Sequence, residues 1–416
     1  MTSRTVIVVA FHFPPMSVSS GMHRTLSYVR ALLERGWQPL VLTAHRRAYE
    51  TADERHLPQI PEGAIVERAF ALDAARHLSL AGKYPGWLAQ PDRWRSWWLG
   101  AVPLGLRLAR RHRPAALWST YPIATAHLIG ATLARLTRLP WIADFRDPMA
   151  HEGYPEDART WQSFARVERK VFSRAAGAVF VTRGAQEMYR GRFPGFPEDR
   201  MRVIENGFDE SAFAAAERDL PAPNPLSRAP LTLLHSGVVY PQWRNPQALF
   251  AALARLRSRG QLPEAGLRVR FRGSGHEPFI AALAREHGVS DLVELAPAIP
   301  YREALREMLL ADALLVLQSE GCNDQIPAKL YEYFRARRPV IGLTDPAGET
   351  ARAMRAAGLE AIFPLGDVQA IERGLAAFLS DLAAGRARAA RDNAVGACAR
   401  QARAAKMVDF LEAVCA

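Results

Sequence analysis

The chain has 416 residues, 49% hydrophobic and 23% charged, with a net charge of +12. At about 150 residues per domain the length implies two to three domains; the ordinary charged and aromatic content excludes a largely disordered chain, and 28 glycines without a period exclude a collagen-like one. Only four of the 54 basic residues are lysines, so the charge reads either as arginine usage in a GC-rich genome or as attraction to anionic partners such as a membrane surface or phosphorylated ligands; nucleic acid is disfavoured, because no zinc finger, RRM or arginine-rich arm accompanies it.

The start, MTSRTVIVVA, runs from a short apolar stretch straight into His12-Phe13-Pro14-Pro15, without the layout of a signal peptide. Val6–Ala10 is a continuous apolar run, hence a buried strand. After a loop from Phe11 to Gly21, the residues Met22, Leu26, Val29, Leu32 and Leu33 follow helical spacing, and Arg35-Gly36 reads as the stop. Leu40–Thr43 is the next strand, and similar runs recur at Ala116–Ser119, Trp141–Asp144, Ala178–Thr182 and Arg202–Glu205. This alternation implies a parallel sheet covered on both faces.

Within this half, residues 92–114 are aromatic and basic: Trp94, Trp97 and Trp98 precede Arg107, Arg110, Arg111 and Arg113. The segment reads either as a core-packed helix with a solvated end or as an interfacial element in peripheral contact with an anionic membrane. Residues 214–230, with Pro221, Pro223, Pro225 and Pro230, break the rhythm and read as a linker. Strands then resume at Leu231–His235, Arg268–Arg272, Val293–Leu295, Ala313–Leu317, Val340–Leu343 and Ala361–Phe363, with helices such as Gln247–Ser258 and Pro278–His287 between them. The expected organisation is an N-terminal α/β domain over 1–213, a linker over 214–230, a second α/β domain over 231–385 and a helical tail over 386–416. Two doubly wound domains of this kind bind ligands at the carboxyl ends of their strands, around a shared cleft.

Three cysteines (Cys322, Cys398, Cys415) without metal-ligand spacing suit a reducing compartment, and no apolar run reaches the roughly 18 residues of a membrane span, so the expectation is a cytoplasmic protein. His12, His23, His127, His235 and His276 have no metal spacing and read as packed or loop histidines; no metal or other cofactor is expected.

The most informative stretch is Gly321–Val340. It follows the apolar strand ALLVL and opens a helix near Pro327. Such a junction presents backbone N–H groups to an anion, and Lys329 and Glu332, three apart, share one helix face. The pair reads either as a surface ion pair or as two groups aimed at one site, the lysine for a diphosphate and the carboxylate for ribose hydroxyls. Asp144-Phe145-Arg146-Asp147-Pro148 closes a strand in the first half. It reads either as a capping cluster with an internal salt bridge or as an acceptor-orienting group centred on Asp147. Ser119-Thr120-Tyr121-Pro122, after the preceding strand, is a further candidate for the acceptor side.

These segments together resemble retaining glycosyltransferases of the GT-B type, glycosyltransferase family 4. Asp324, seven residues, Glu332 is similar to the family's Glu, seven residues, Glu, with a shorter first acid. Pro327-x-Lys329-x-x-Glu332-Tyr333 is similar to members acting in polysaccharide and lipid-linked sugar assembly. Ser20-Gly21 with Arg24 resembles the glycine loop after the first strand, and Asn206-Gly207-Phe208-Asp209 the close of the N-terminal domain. Ser236-Gly237 with Arg244 resembles the Gly-Arg-x5-Lys loop; Arg244 falls on the Lys, and Val238 on the Arg, so one phosphate contact passes to another residue, with Lys329 the candidate. Gly273-Ser274-Gly275 resembles the turn near the base, and Gly348-Glu349-Thr350 the loop after the next strand. Arg146 falls where many members carry a histidine.

The resemblance implies two Rossmann-like domains facing a central cleft and a UDP- or GDP-linked sugar as co-substrate. It implies a donor site of Gly21, Gly237, Arg244, Gly273, Gly275, Lys329 and Glu332, acceptor-side residues Arg24, Asp144 and Arg146, and Asp147, Asp324 and Glu332 as the catalytic set. The product would keep its anomeric configuration, on a saccharide or lipid-linked acceptor. A nucleotide-sugar 2-epimerase and a non-catalytic binding subunit are the alternatives.

Overall fold

The computed structural model describes residues 4–16, 20–151, 153–218, 220 and 230–416. The chain forms two compact units, Met1–Glu205 with Arg400–Ala416, and Asn206–Ala399. In the first, β1 (Thr5–Ala10), β2 (Gln38–Ala44), β3 (Ile65–Ala69), β4 (Ala116–Thr120), β5 (Trp141–Arg146), β6 (Gly177–Phe180) and β7 (Met201–Val203) make a seven-stranded sheet in the order β3-β2-β1-β4-β5-β6-β7. Every pairing is parallel. In the second, β8 (Leu231–Ser236), β9 (Leu267–Arg272), β10 (Val293–Ala296), β11 (Ala313–Leu317), β12 (Val340–Leu343) and β13 (Ile362–Phe363) make a parallel sheet in the order β10-β9-β8-β11-β12-β13. Both orders reverse beside the first strand of the unit, which is where open α/β sheets bind ligands.

The continuous apolar runs follow from burial on both faces. Along β1, Ile7 and Val9 join a core with Leu40, Leu42, Leu117, Trp97 and Trp141. Val6 and Val8 point to the other face, against Met22, Leu26, Val29 and Trp118. In the second unit Leu315 and Leu317 pack with Leu253 and Leu375, while Leu314 and Val316 pack with Leu330, Phe334 and Met354. The edge strand β3, IVERA, is missed by sequence reading, because its residues are only partly buried and two are charged.

The units divide elsewhere than at residues 213 and 386. Residues 214–217 of the expected linker belong to the helix Glu210–Glu217, capped by Asp209; residues 219 and 221–229 lie outside the described residues. That helix is held to the second unit by Arg335, which donates to Glu210 and Glu217 at 2.6–3.1 Å and lies over the Phe213 ring. The tail is two helices with different destinations. Asp392–Ala397 stays with the second unit, whereas Arg400–Cys415 packs along the helix Ser20–Glu34 of the first. There Met407, Val408, Phe410 and Leu411 complete the core on the Val6–Val8 face. Arg35 pairs with Asp409 and Glu412, and Arg403 with Glu205.

The tryptophan-rich segment is largely core. Trp97 is fully buried, and the Trp94 indole donates to the Ala48 carbonyl at 2.9 Å; Trp98 alone of the three is exposed. Among the described residues no helix is long and apolar enough to cross a membrane.

Candidate active site

The carboxyl ends of the second sheet bring four separated segments together. β8 ends in His235-Ser236, and Gly237 follows at φ +102°, a conformation that side-chain-bearing residues rarely adopt. A Cβ at Gly237 would stand 3.2 Å from the Lys329 Nζ, so the loop backbone passes directly beneath the ammonium. Lys329 opens the helix Lys329–Arg335, one position beyond the cap Ala328; Pro327 lies ahead of the helix, its carbonyl accepting from Leu330 N–H. The Lys329 Nζ donates to His235 Nε2 at 3.0 Å. His235 Nδ1 faces the Leu315 carbonyl at 3.0 Å and therefore carries the proton, which leaves Nε2 as the acceptor.

Burial pushes Lys329 well below the ordinary amine range, and the nearby Arg244 guanidinium pushes the same way against the opposing Glu332 carboxylate. His235 is likewise pushed well down, by burial and then by Lys329 and Arg244. The Arg244 charge and an amine whose own charge is disfavoured by burial are therefore crowded together in a partly dry place, and an anion bound there would favour the charged form of both. The Arg244 guanidinium folds back to the Val238 carbonyl at 2.7 Å and over the Tyr240 ring. It thus brings its charge to the segment where Val238 has none. Gly273 and Gly275 both have positive φ, and a Cβ at Gly275 would stand 3.8 Å from Val238, so the turn after β9 belongs to the same cluster. Its amide is engaged by Glu277, which accepts from Gly275 N–H and Ser274 Oγ.

One turn along the helix, Glu332 accepts from the Tyr301 hydroxyl at 2.8 Å. Tyr333 accepts from Ser236 N–H at 2.9 Å, joining the helix to the end of β8. Asp324 lies on the exposed loop before the helix. Gln318 donates to the carbonyls of Cys322 and Gln325 on either side of it, and Thr350, from Gly348-Glu349-Thr350, also donates to Gln325. Of the residues expected at the donor site, Gly237, Arg244, Gly275, Lys329 and Glu332 converge, with Gly273 in the adjoining turn, while Gly21 belongs to the first unit. His235, Tyr301 and Tyr333 were not singled out for this site from sequence. The available signal for His235 was its place at a strand's carboxyl end, immediately before Ser236-Gly237.

A second cluster sits at the strand ends of the first unit. Gly21, expected in a loop, lies in the first turn of the helix Ser20–Glu34. A Cβ there would collide with the Arg146 guanidinium and stand 2.8 Å from His12 Nδ1, so the close approach is made by a side chain of the same unit. Arg146 takes φ +60°, at an irregularity in the β5–β6 pairing, and donates to the Tyr121 carbonyl at 3.1 Å. His12 is pushed down to about 3 by burial and by Arg146, so it is neutral at physiological pH. The internal salt bridge is Arg24–Asp144, both buried. Arg24 donates to both carboxylate oxygens at 3.0–3.1 Å and to the carbonyls of Ile204 and Glu205. Thr120 donates to the same carboxylate.

Arg24 and Asp144, placed on the acceptor side by sequence, therefore brace the ends of β5 and β7 through each other. Replacing Arg24 by Met strands a buried carboxylate and is expected to cost about 3–5 kcal/mol, read as a lower urea midpoint; Arg24→Met with Asp144→Leu should recover most of it. Asp147 follows the irregularity, and burial raises its carboxyl above the usual range against the opposing Arg146 and Arg24. The chain beyond it is anchored by Tyr189, which accepts from Met149 N–H, and by buried Glu168, which accepts from Ala150 N–H, Tyr189 and Arg192. Ser119 is spent inside the core on His127 and the Trp141 indole. Among the described residues no group of three or more His, Cys, Asp or Glu side chains could hold a metal.

Residues 20–207 match the family model of the glycosyl transferase 4-like domain. No curated protein matches the chain in sequence. In three dimensions it is similar to sucrose-phosphate synthase from Thermosynechococcus elongatus, at TM-score 0.66 and 16% identity, over 99% of this chain and 98% of that one. It is similar to Anabaena HepE in complex with UDP, at TM-score 0.65 and 14% identity, over 98% and 100%. It is also similar to α,α-trehalose 6-phosphate synthase from Burkholderia multivorans, at TM-score 0.65 and 14% identity, over 100% and 99%. The chain has the GT-B fold, two Rossmann-like units of seven and six parallel strands, and its match to the glycosyl transferase 4-like domain runs across most of the first unit.

Proposed function

We propose that the chain moves a sugar from a UDP- or GDP-linked donor to an acceptor hydroxyl with retention of anomeric configuration. The observation that carries this reading is the Lys329 ammonium, held by His235 over Gly237 with Arg244 beside it. That arrangement suits the paired phosphates of a leaving nucleoside diphosphate, and UDP bound to the Anabaena neighbour supports the same ligand class. Lys329 and Arg244 neutralise the charge that develops on the departing diphosphate, so no metal is required for that task. Glu332, oriented by Tyr301, accepts from the ribose hydroxyls, and Asp324 from the hydroxyls of the donor sugar.

On the first unit, Asp147 orients the acceptor, while Arg24, Asp144 and Arg146 hold the end of β5. The acceptor oxygen bonds to the anomeric carbon as the bond from that carbon to the diphosphate oxygen breaks. The acceptor's proton passes to the diphosphate, which leaves on the same face. The acceptor is a saccharide or a lipid-linked sugar, in cell-surface polysaccharide or glycoconjugate assembly.

Thermal unfolding against a panel of UDP- and GDP-sugars tests the donor. A specific donor at 100 times its Kd adds about 2.7 kcal/mol, and no stabilisation by any of them refutes the reading. Incubation with the stabilising donor alone discriminates further. A changed sugar without acceptor identifies a 2-epimerase, and binding without turnover on any acceptor identifies a binding subunit. Asp147→Asn should reduce transfer without weakening donor binding; undiminished transfer removes Asp147 from the mechanism.

A further inference from the structure

The first unit carries a cavity of about 760 Å³ that shares no residue with the cluster around Gly21 and Asp147. It lies between the chain after β3, the start of the helix Trp97–His112, the helix Ala124–Thr137 and the end of the helix Ala158–Phe172. Phe70, Leu78, Trp87, Trp98 and Leu99 open onto it, with Trp87 65% and Leu99 63% exposed. Five large apolar side chains left in water around one cavity are unusual, and contiguous apolar surface of this kind marks a binding site. The wall is built: the Trp98 indole donates to Thr132 at 3.0 Å, satisfying its polar end. Arg95 donates to the Trp87 carbonyl, and Arg93 pairs with Glu50 and Asp73.

The rim carries one sign of charge. Arg135, Lys170 and Arg174 line the cavity, are exposed, and have no ion-pair partner among the described residues; no carboxylate lines it. These three cations stand together around one mouth without an acid, whereas Arg335 is held by Glu210 and Glu217 and Arg272 by Glu307. An apolar cavity with indoles at its mouth and an unpaired cationic rim complements an amphiphile with an anionic head.

We propose that this cavity takes an acyl chain of an anionic phospholipid, with the lipid phosphate on Arg135, Lys170 and Arg174, and so seats the first unit on an anionic membrane surface. The inference is independent of the sugar-transfer reading, since it uses no residue of either cluster described above.

Co-sedimentation of the full chain with vesicles of phosphatidylcholine containing phosphatidylglycerol, against phosphatidylcholine alone, tests it. Binding is expected only with phosphatidylglycerol and should weaken with salt. Reversing Arg135, Lys170 and Arg174 to Glu together should lower the partition coefficient about a hundredfold. Leu99→Glu and Trp87→Glu, both at exposed positions, should each lower it about tenfold or more while leaving the thermal unfolding temperature near that of the parent. Phosphatidylglycerol brominated in its acyl chains should quench tryptophan emission, and Trp87→Phe with Trp98→Phe should remove that quenching. Failure of the parent chain to bind overturns the proposal. So does binding that survives Leu99→Glu and Trp87→Glu unchanged, or shows no bromine quenching, since either outcome reduces the cavity to a charged surface. Donor binding, measured in parallel, is expected to be unaffected by all these substitutions.

Discussion

Replacing Lys329 by alanine is expected to lower kcat/KM for sugar transfer by about 10²–10³-fold, the range for losing one group aimed at developing negative charge. The effect should fall mainly on kcat, because charge on the diphosphate grows as the bond to the sugar breaks. Steady-state kinetics with the donor identified by thermal unfolding measures it, and an unchanged kcat/KM ends the phosphate role of this residue.

The same site carries a pH signature. In the free protein Lys329 is pushed down by burial and by Arg244, whereas a bound diphosphate would draw it back up. Between the depressed value and the ordinary amine range, UDP binding should therefore take up a proton, and affinity should fall as pH rises through that window. Calorimetry in buffers of different ionisation enthalpy measures the uptake. His235 and Arg244 face the same ammonium, so the control is Lys329→Met, which should abolish the uptake; uptake that persists in it assigns the proton to another group.

Ending the chain at Ala399 is expected to remove cooperative unfolding of the first unit while leaving a transition for the second. The helix Arg400–Cys415 supplies Met407, Val408, Phe410 and Leu411 to the core beside β1. At about 1.5–3 kcal/mol for each buried side chain, the loss is of the order of 6–12 kcal/mol, comparable with the whole stability of a domain. A milder variant, Leu411→Ala, should cost about 2–5 kcal/mol. Gly177→Ala should also destabilise, because its Cβ would stand 2.5 Å from the Phe410 ring. Urea unfolding followed by limited proteolysis separates the two units. A first unit as stable without the helix as with it would contradict this account.

Both sheets were legible because a strand buried on two faces must be apolar throughout, and runs such as VIVVA and ALLVL have no other economical reading. The strand β3 escaped because an edge strand is released from that demand. Lys329 and Glu332 could be placed on one helix face by spacing alone, as could the strand end that carries Asp147. The partners that give those residues their chemistry were not legible. His235 is 94 residues from Lys329, and Asp144 is 120 from Arg24, so nothing local links either pair.

The amino-acid sequence by itself determined the parallel α/β architecture, the two-domain organisation and the shared helix face of Lys329 and Glu332, because periodicity and helix spacing are local properties; Gly237, Arg244, Gly273 and Gly275 were indicated by resemblance to a family pattern. Tertiary structure alone decided that Arg24 spends its charge on Asp144, that Arg146 occupies the space above Gly21, and that the last helix returns to the first unit. Each of these is an outcome of which buried charge or apolar face finds its complement across a long stretch of chain, and no local pattern encodes that choice.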